Sequence, residues 1–281
     1  MKGLRLRMAD RLAPTLRRVG RDRNPVLVVD DFLANPDEIR ARALDSRFRR
    51  GDHLRYYPGY QADCALPGID EITAWVARRM WTEGFGHRPS PTLDLADCPR
   101  PLFSAMSPAP GATYLNIHVD GHSWLAVLLY LSKDSERTSG TAFWRQREHG
   151  LESMYLGPNP MKQMSVIDHV FGTRMLDKVL RPLGRSPAST FEQFANGLCE
   201  RDVRPPFPER SHGVWQRTGI VRARYNRLVA YPTWMWHSAT QRTYEPPRTL
   251  AAARLTLNMF IRHPVLEPRS LVPITPIGDL P

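Results

Sequence analysis

From Phe103 onward the apolar residues recur at every second position, a period that a helix cannot use and that a half-buried strand requires. Segments of this kind run from Ala112 to Val119, Trp124 to Leu131, Thr141 to Arg145, Val214 to Arg222, Asn226 to Tyr231 and Arg254 to Ile261, with turn residues between them. Together they predict an antiparallel β core. In the last segment Arg254, Thr256 and Asn258 share one face while Leu255, Leu257 and Met259 share the other.

The N-terminal part is patterned differently. Pro25 leads into the short apolar run Val26 to Val29, which predicts a buried strand, and Asn35-Pro36 with Glu38 predicts a helix start, with Ile39, Ala43 and Leu44 inward. A second helix is predicted from Ile69 to about Gly84, since Ile72, Trp75, Val76 and Met80 fall on one face. Tyr56 to Tyr60 reads as an aromatic turn. The span 157–213 is rich in Pro and Gly, with a helical piece around Met175 to Leu180, and is expected to be a long insertion serving as a substrate lid. Residues 1–24 read as a basic tail and 264–281 as a Pro-rich tail around one domain over 25–263. With 281 residues and 42% hydrophobic content the chain is long enough to bury a full core.

Three cysteines, Cys64, Cys98 and Cys199, are widely spaced and never form CxxC, so neither a disulfide framework nor a thiolate zinc site is expected, and a cytoplasmic location is. No stretch is apolar for long enough to span a bilayer. Leu4, Met8, Leu12 and Leu16 recur among arginines at helical spacing, which leaves a surface-seeking helix open beside the tail. The net charge of +11 is spread along the chain as arginine, so it points only weakly to an acidic substrate and does not predict a nucleic-acid partner.

In Tyr114 to Asp120, polar and apolar residues alternate, which puts Tyr114, Asn116, His118 and Asp120 on one strand face. His118 and Asp120 then lie about 6 to 7 Å apart at Cα and point the same way, close enough for an imidazole and a carboxylate to share a metal ion. A histidine–aspartate pair alone is a weak signal. A second histidine, His237, follows the strand through Tyr231 and the run Trp234, Met235, Trp236, where a packed core histidine would be ordinary. Arg254, inward beside Thr256 and Asn258, would be costly unless it met an anion, and taken alone it reads as a salt bridge at a barrel rim. Tyr114 and Asn116 are candidates for a cosubstrate pocket, or ordinary inward residues. Trp124, Trp144, Trp234 and Trp236 are expected to be core or rim packing, not a substrate platform.

In this order, His118-x-Asp120, the distal His237 and Arg254-x-Thr256 resemble the 2-oxoglutarate/Fe(II)-dependent oxygenase superfamily, particularly its prolyl-hydroxylase-like branch. Val26 to Leu33, the Trp124 to Leu131 strand, Ser139-Gly140-Thr141-Ala142-Phe143-Trp144 and Tyr225-Asn226-Arg227-Leu228 look like recurring blocks of that superfamily. The resemblance implies a mainly β fold with flanking helices around a double-stranded β-helix (jelly-roll, cupin-like) core. It implies Fe(II) held by His118, Asp120 and His237, 2-oxoglutarate held at its far carboxylate by Arg254 and Thr256, and O2 as the oxidant. The implied activity is a dioxygenase that hydroxylates an amino acid, a peptide side chain or a small natural product and releases succinate and CO2.

Alternatives stand beside this. Asp120 with His122 is a shifted version of the same pair. A cupin-like metalloenzyme that does not use 2-oxoglutarate would share the metal ligands but have no need of Arg254, and a non-catalytic β-helix module would bind a partner without turnover. Related nucleic-acid demethylases carry a second arginine where this chain has Phe260, which counts against that substrate class. Asp120 itself counts against halide-transferring relatives, in which a small residue vacates that position.

Overall fold

The computed structural model describes residues 3–50, 59–89, 98, 100–106, 117–120, 123–133, 139–157, 159–183, 191, 194–195, 198, 210–241 and 249–262. In chain order the strands are β1 (Thr15–Val19), β2 (Asn24–Val29), β3 (Arg49–Arg50), β4 (Gly59–Asp63), β5 (Leu102–Met106), β6 (Leu125–Tyr130), β7 (Ser139–Gln146), β8 (Trp215–Arg222), β9 (Leu228–Pro232), β10 (His237–Gln241) and β11 (Arg254–Ile261). The helices are α1 (Pro36–Leu44), α2 (Ile69–Arg79), which runs on into a π-helical turn at Met80–Gly84, α3 (Pro160–Phe171) and α4 (Met175–Leu183).

The strands form an eight-stranded sheet, β1-β2-β9-β6-β11-β5-β4-β3, and a three-stranded sheet, β10-β7-β8, with every neighbour pairing antiparallel. The fold is mainly β with flanking helices, and the two facing sheets make a jelly-roll core that is not a closed barrel. Alternation decides which side chains meet between the sheets. Val26, Val28, Ala126, Tyr130, Val229 and Tyr231 from the large sheet pack against Phe143 and Val221 from the small one. Tyr231 and Phe143 have ring centroids 5.1 Å apart, and the Tyr130 hydroxyl lies 2.7 Å from Thr141 Oγ1. The opposite face of the large sheet, with Leu27, Val127, Leu129, Leu255 and Leu257, is covered by Ile39 and Ala43 of α1 and Ile72 and Val76 of α2. β2 is buried on both faces, which is why it reads as an uninterrupted apolar run.

The segment 1–24 is not a tail from residue 3 on. β1 pairs with β2, Leu16 opposite Leu27, and Leu6 is fully buried. Earlier backbone bonds from Leu6 N to Pro67 O and from Ala9 N to Phe32 O fasten the extended chain. A spacing of four residues fits a strand as well as a helix, since every fourth residue is also every second, and here it places Leu4, Met8, Leu12 and Leu16 against the core. Asn35 does stand before α1, but its side chain accepts from Arg7 N and donates to Arg5 O instead of capping the helix.

The β1–β2 turn needs its glycine. Gly20 has φ +74, and a Cβ there would lie 2.1 Å from Glu152 Oε2. That closeness lets the Glu152 carboxylate accept both Arg21 N and Asp22 N at 2.9 Å.

The first half of the span 157–213 is helical, not irregular. Met164, Ile167, Phe171, Met175 and Val179 are buried, and the Phe171 ring lies 5.1 Å from Trp234 and 5.9 Å from Trp124. Pro160 opens α3 and Gly172, at φ 65, closes it. Both residues look like loop punctuation in the sequence yet suit the two ends of one helix. Asp168 caps α4 from the end of α3, its carboxylate accepting Met175 N at 2.7 Å and Leu176 N at 2.9 Å. Within the span on which the lid expectation falls, residues 158, 184–190, 192–193, 196–197 and 199–209 lie outside the described ones, as do the expected strand up to residue 116 and the tail 264–281. Among the described residues, no helix is long and apolar enough to cross a membrane.

Candidate metal centre

His118, Asp120 and His237 come together because two distant segments pair for one bridge. His118 N donates to His237 O and His237 N to His118 O, each at 2.9 Å, and Asp120 N donates to Thr233 O at 2.9 Å. β10 is in turn anchored by β7, with His237 opposite Phe143. The candidate ligand atoms of the three residues all lie within 4.8 Å of one another. His237 Nε2 is 3.3 Å from Asp120 Oδ2 and His118 Nε2 is 3.8 Å from Asp120 Oδ1. Metal bonds of about 2.1 Å at right angles put ligand atoms about 3 Å apart, so the cluster needs only a small contraction to close on an ion.

The orientation of His237 is set by its other nitrogen. Nδ1 lies 2.9 Å from Met235 O, so the proton belongs on Nδ1 and the Nε2 lone pair faces Asp120. The ring is buried, at 4% exposure, and the Tyr231 ring packs 4.8 Å from it. Burial, and then the negative charge of Asp120 nearby, hold the Tyr231 hydroxyl protonated well above its ordinary range, while Arg254 pulls the other way. Tyr231 therefore lies within electrostatic reach of both Asp120 and Arg254.

Arg254 is 7% exposed and has no ion pair among the described residues. One nitrogen, Nη2, makes a long bond of 3.4 Å to Gly140 O, and the guanidinium carbon sits 5.2 Å over the Tyr130 ring. Nε has no partner. Thr256, on the same face of β11 and opposite Tyr130, also has a buried hydroxyl without a partner. A buried guanidinium fork beside an unused hydroxyl is a fitting receptor for a carboxylate. The rim salt bridge considered for Arg254 is thus not what surrounds it.

Tyr114, Asn116 and His122 lie outside the described residues. Tyr130 and Tyr231 carry no mark in the sequence, because both stand in continuous apolar runs, Trp124 to Leu131 and Leu228 to Tyr231, where alternation does not single out an inward face. Trp124, Trp144, Trp234 and Trp236 are buried, as expected of core residues.

The sequence model of the family described as "Family of unknown function (DUF6445)" matches residues 10–160 and 185–261. No curated protein matches the chain. Among solved structures, it is similar to the non-heme alpha-ketoglutarate-dependent carbocyclase SnoK from nogalamycin biosynthesis, at 11% identity over 85% of this chain and 79% of that one, TM-score 0.40. It is similar also to HygX from Streptomyces hygroscopicus with nickel and 2-oxoglutarate bound, at 10% identity over 85% and 83%, TM-score 0.42. A third is an N-substituted L-amino acid dioxygenase from Burkholderia ambifaria AMMD, at 10% identity over 90% and 100%, TM-score 0.36.

Proposed function

We propose that this chain, which belongs to the DUF6445 family, is an Fe(II)- and 2-oxoglutarate-dependent dioxygenase that hydroxylates a small molecule or peptide. The observation that carries the proposal is Arg254: a buried cation with an unsatisfied Nε, beside the unsatisfied Thr256 hydroxyl, in a chain that also gathers two histidines and an aspartate. A metalloenzyme that oxidises its substrate directly would carry the cost of that buried charge for nothing.

In this reading His118 and His237 would hold the ion through neutral imidazole nitrogens and Asp120 through its carboxylate. Bound there, Fe(II) supplies oxygen activation coupled to conversion of 2-oxoglutarate to succinate and CO2. Met235 O holds His237 in the ligating tautomer. Arg254 takes the far carboxylate of 2-oxoglutarate as a fork and Thr256 donates its hydroxyl to the same group. Tyr130 holds the guanidinium from one side and is itself fixed by Thr141. Tyr231, held protonated by burial, adds no charge within reach of Asp120 and Arg254.

The test is anaerobic addition of 2-oxoglutarate to the protein with one equivalent of Fe(II). A weak visible charge-transfer band that saturates with 2-oxoglutarate is expected. Iron binding with no such band at any cosubstrate concentration would refute the use of 2-oxoglutarate while leaving the metal centre standing.

A further inference from the structure

A pocket of about 500 Å³, away from the residues of the metal centre, lies between α4, the β1–β2 turn and the end of β7. Its charge is lopsided. Arg21, Arg145, Lys178 and Arg181 line it against two carboxylates, Asp22 and Glu148. Lys178 pairs with Asp22 across the cavity. Arg181 shares Asp177, outside the lining, with Arg174. Among the described residues, Arg145 makes only long bonds to neutral acceptors, 3.5 Å to Gly150 O and 3.4 Å to Gln216 Oε1, and the Arg21 side chain makes no ion pair. Two guanidinium groups thus face this space with no paired carboxylate among the described residues.

We propose that this cavity binds a phosphorylated small molecule, at a site separate from the metal centre and independent of its identity. A phosphoryl group carries about two negative charges at neutral pH, which matches the surplus of two cations, whereas one carboxylate would leave half of it uncompensated. Guanidinium forks suit phosphate oxygens, and Lys178 adds a point charge. The volume falls within the range of ordinary ligand pockets, with room for an organic body beyond the phosphate, and Asp22 and Glu148 are acceptors for hydroxyls on that body. A phosphorylated polyol or sugar has this combination of groups. The helix that supplies Lys178 and Arg181 lies in 161–184, the stretch that the family match leaves out, so this site need not be shared across the family.

The site is also mechanically close to the metal centre. Glu152, whose carboxylate accepts from Arg21 N and Asp22 N in the lining, also accepts from Trp236 N, immediately before His237, on its backbone O at 3.0 Å, and Ser153 bridges to Met235, two residues before His237. A ligand that orders the lining acts on a segment one strand spacing from a proposed metal ligand.

The experiment is a calorimetric titration of the full chain with glucose 6-phosphate, inorganic phosphate and glucose at low ionic strength. Glucose 6-phosphate should bind in the millimolar range or tighter, inorganic phosphate more weakly, and glucose not measurably. Lys178→Gln with Arg181→Gln should weaken glucose 6-phosphate at least about tenfold, since about 1.4 kcal/mol is a factor of ten and two charge-assisted contacts are lost. Asp22→Asn should instead tighten it by about threefold, because it removes a competing anion and releases Lys178. A purely structural Lys178–Asp22 tie would not give opposite signs. Failure to bind, equal weakening by the control pair Arg11→Gln with Arg47→Gln outside the cavity, or weakening in Asp22→Asn would each overturn the proposal. Binding of single-stranded RNA, abolished by the control pair as readily as by the cavity pair, would also overturn it in favour of a diffuse polyanion surface.

Discussion

Replacing Arg254 with glutamine tests the proposed cosubstrate site from two sides at once. In the ligand-free protein the guanidinium is 7% exposed, holds one long bond to Gly140 O, lies over Tyr130 and leaves Nε unsatisfied. A buried cation in that state is a cost to folding, so removing it should not destabilise the ligand-free fold and should stabilise it by about 1 kcal/mol if the neutral side chain packs. With 2-oxoglutarate present the same change removes the fork that meets the far carboxylate, a loss of about 2 to 5 kcal/mol for a buried charge-assisted pair. The Thr256 hydroxyl remains to donate, a bond worth about 1 kcal/mol, which favours the lower half of that range. The expected weakening of 2-oxoglutarate binding is then roughly thirtyfold to several hundredfold. Fe(II) affinity should scarcely change, since Arg254 is not among the clustered ligands. Arg254→Lys should recover part of the affinity through charge without the fork. Thermal unfolding with and without 2-oxoglutarate reads both sides, because the ligand-induced shift falls as affinity falls. If Arg254→Gln lowers the melting temperature of the ligand-free protein and leaves the 2-oxoglutarate shift intact, the arginine is a structural residue and the argument fails.

Three further outcomes are expected. His118→Ala, Asp120→Ala and His237→Ala should each abolish stoichiometric Fe(II) binding with the circular dichroism spectrum retained, and near-normal iron affinity in His237→Ala would remove the triad. Asp168→Ala should cost about 1 to 2 kcal/mol in urea unfolding, because it strips two backbone donors at the start of α4 of their acceptor, and an unchanged midpoint would mean that α3 and α4 unfold apart from the sheets. Burial pushes the Cys64 thiol up to about 11 from 9.0, so at pH 8 its thiolate fraction, and with it alkylation in the folded state, should fall about a hundredfold below a free cysteine; labelling at the free rate would show that the β4–α2 segment opens readily.

What the sequence made legible depended on whether a pattern had one structural meaning. β11 was readable to the residue, since Arg254, Thr256 and Asn258 alternating with Leu255, Leu257 and Met259 fits only a strand with one unlike face. β1 was not, because leucines four apart satisfy helix and strand alike, and only the pairing of Leu16 with Leu27 chooses between them. α3 was hidden by Pro160 and Gly172, which mark helix ends and loops equally well. β10 was hidden for another reason: Ser238 and Thr240 are polar yet fully buried, Ser238 accepting the Trp144 indole N–H at 2.9 Å, so their character misreports their surroundings.

The metal cluster needed a long-range fact. His118 and Asp120 share a face through local spacing alone, but their meeting with His237 depends on a bridge between segments far apart in the chain and on β7 holding β10 in register. Arg254 makes the same point about what register adds. β6 runs out opposite Thr256, with Tyr130 as its last paired residue, so Arg254 stands two residues beyond the end of that pairing and still inside the protein. Its side chain crosses the Tyr130 ring to reach toward Gly140 on the other sheet, where no carboxylate lies among the described residues. The alternation says that Arg254 faces inward. Only the register shows that inward here means a space between two sheets with acceptors too few for a guanidinium, and that shortage, more than the arginine itself, is what calls for an anionic ligand.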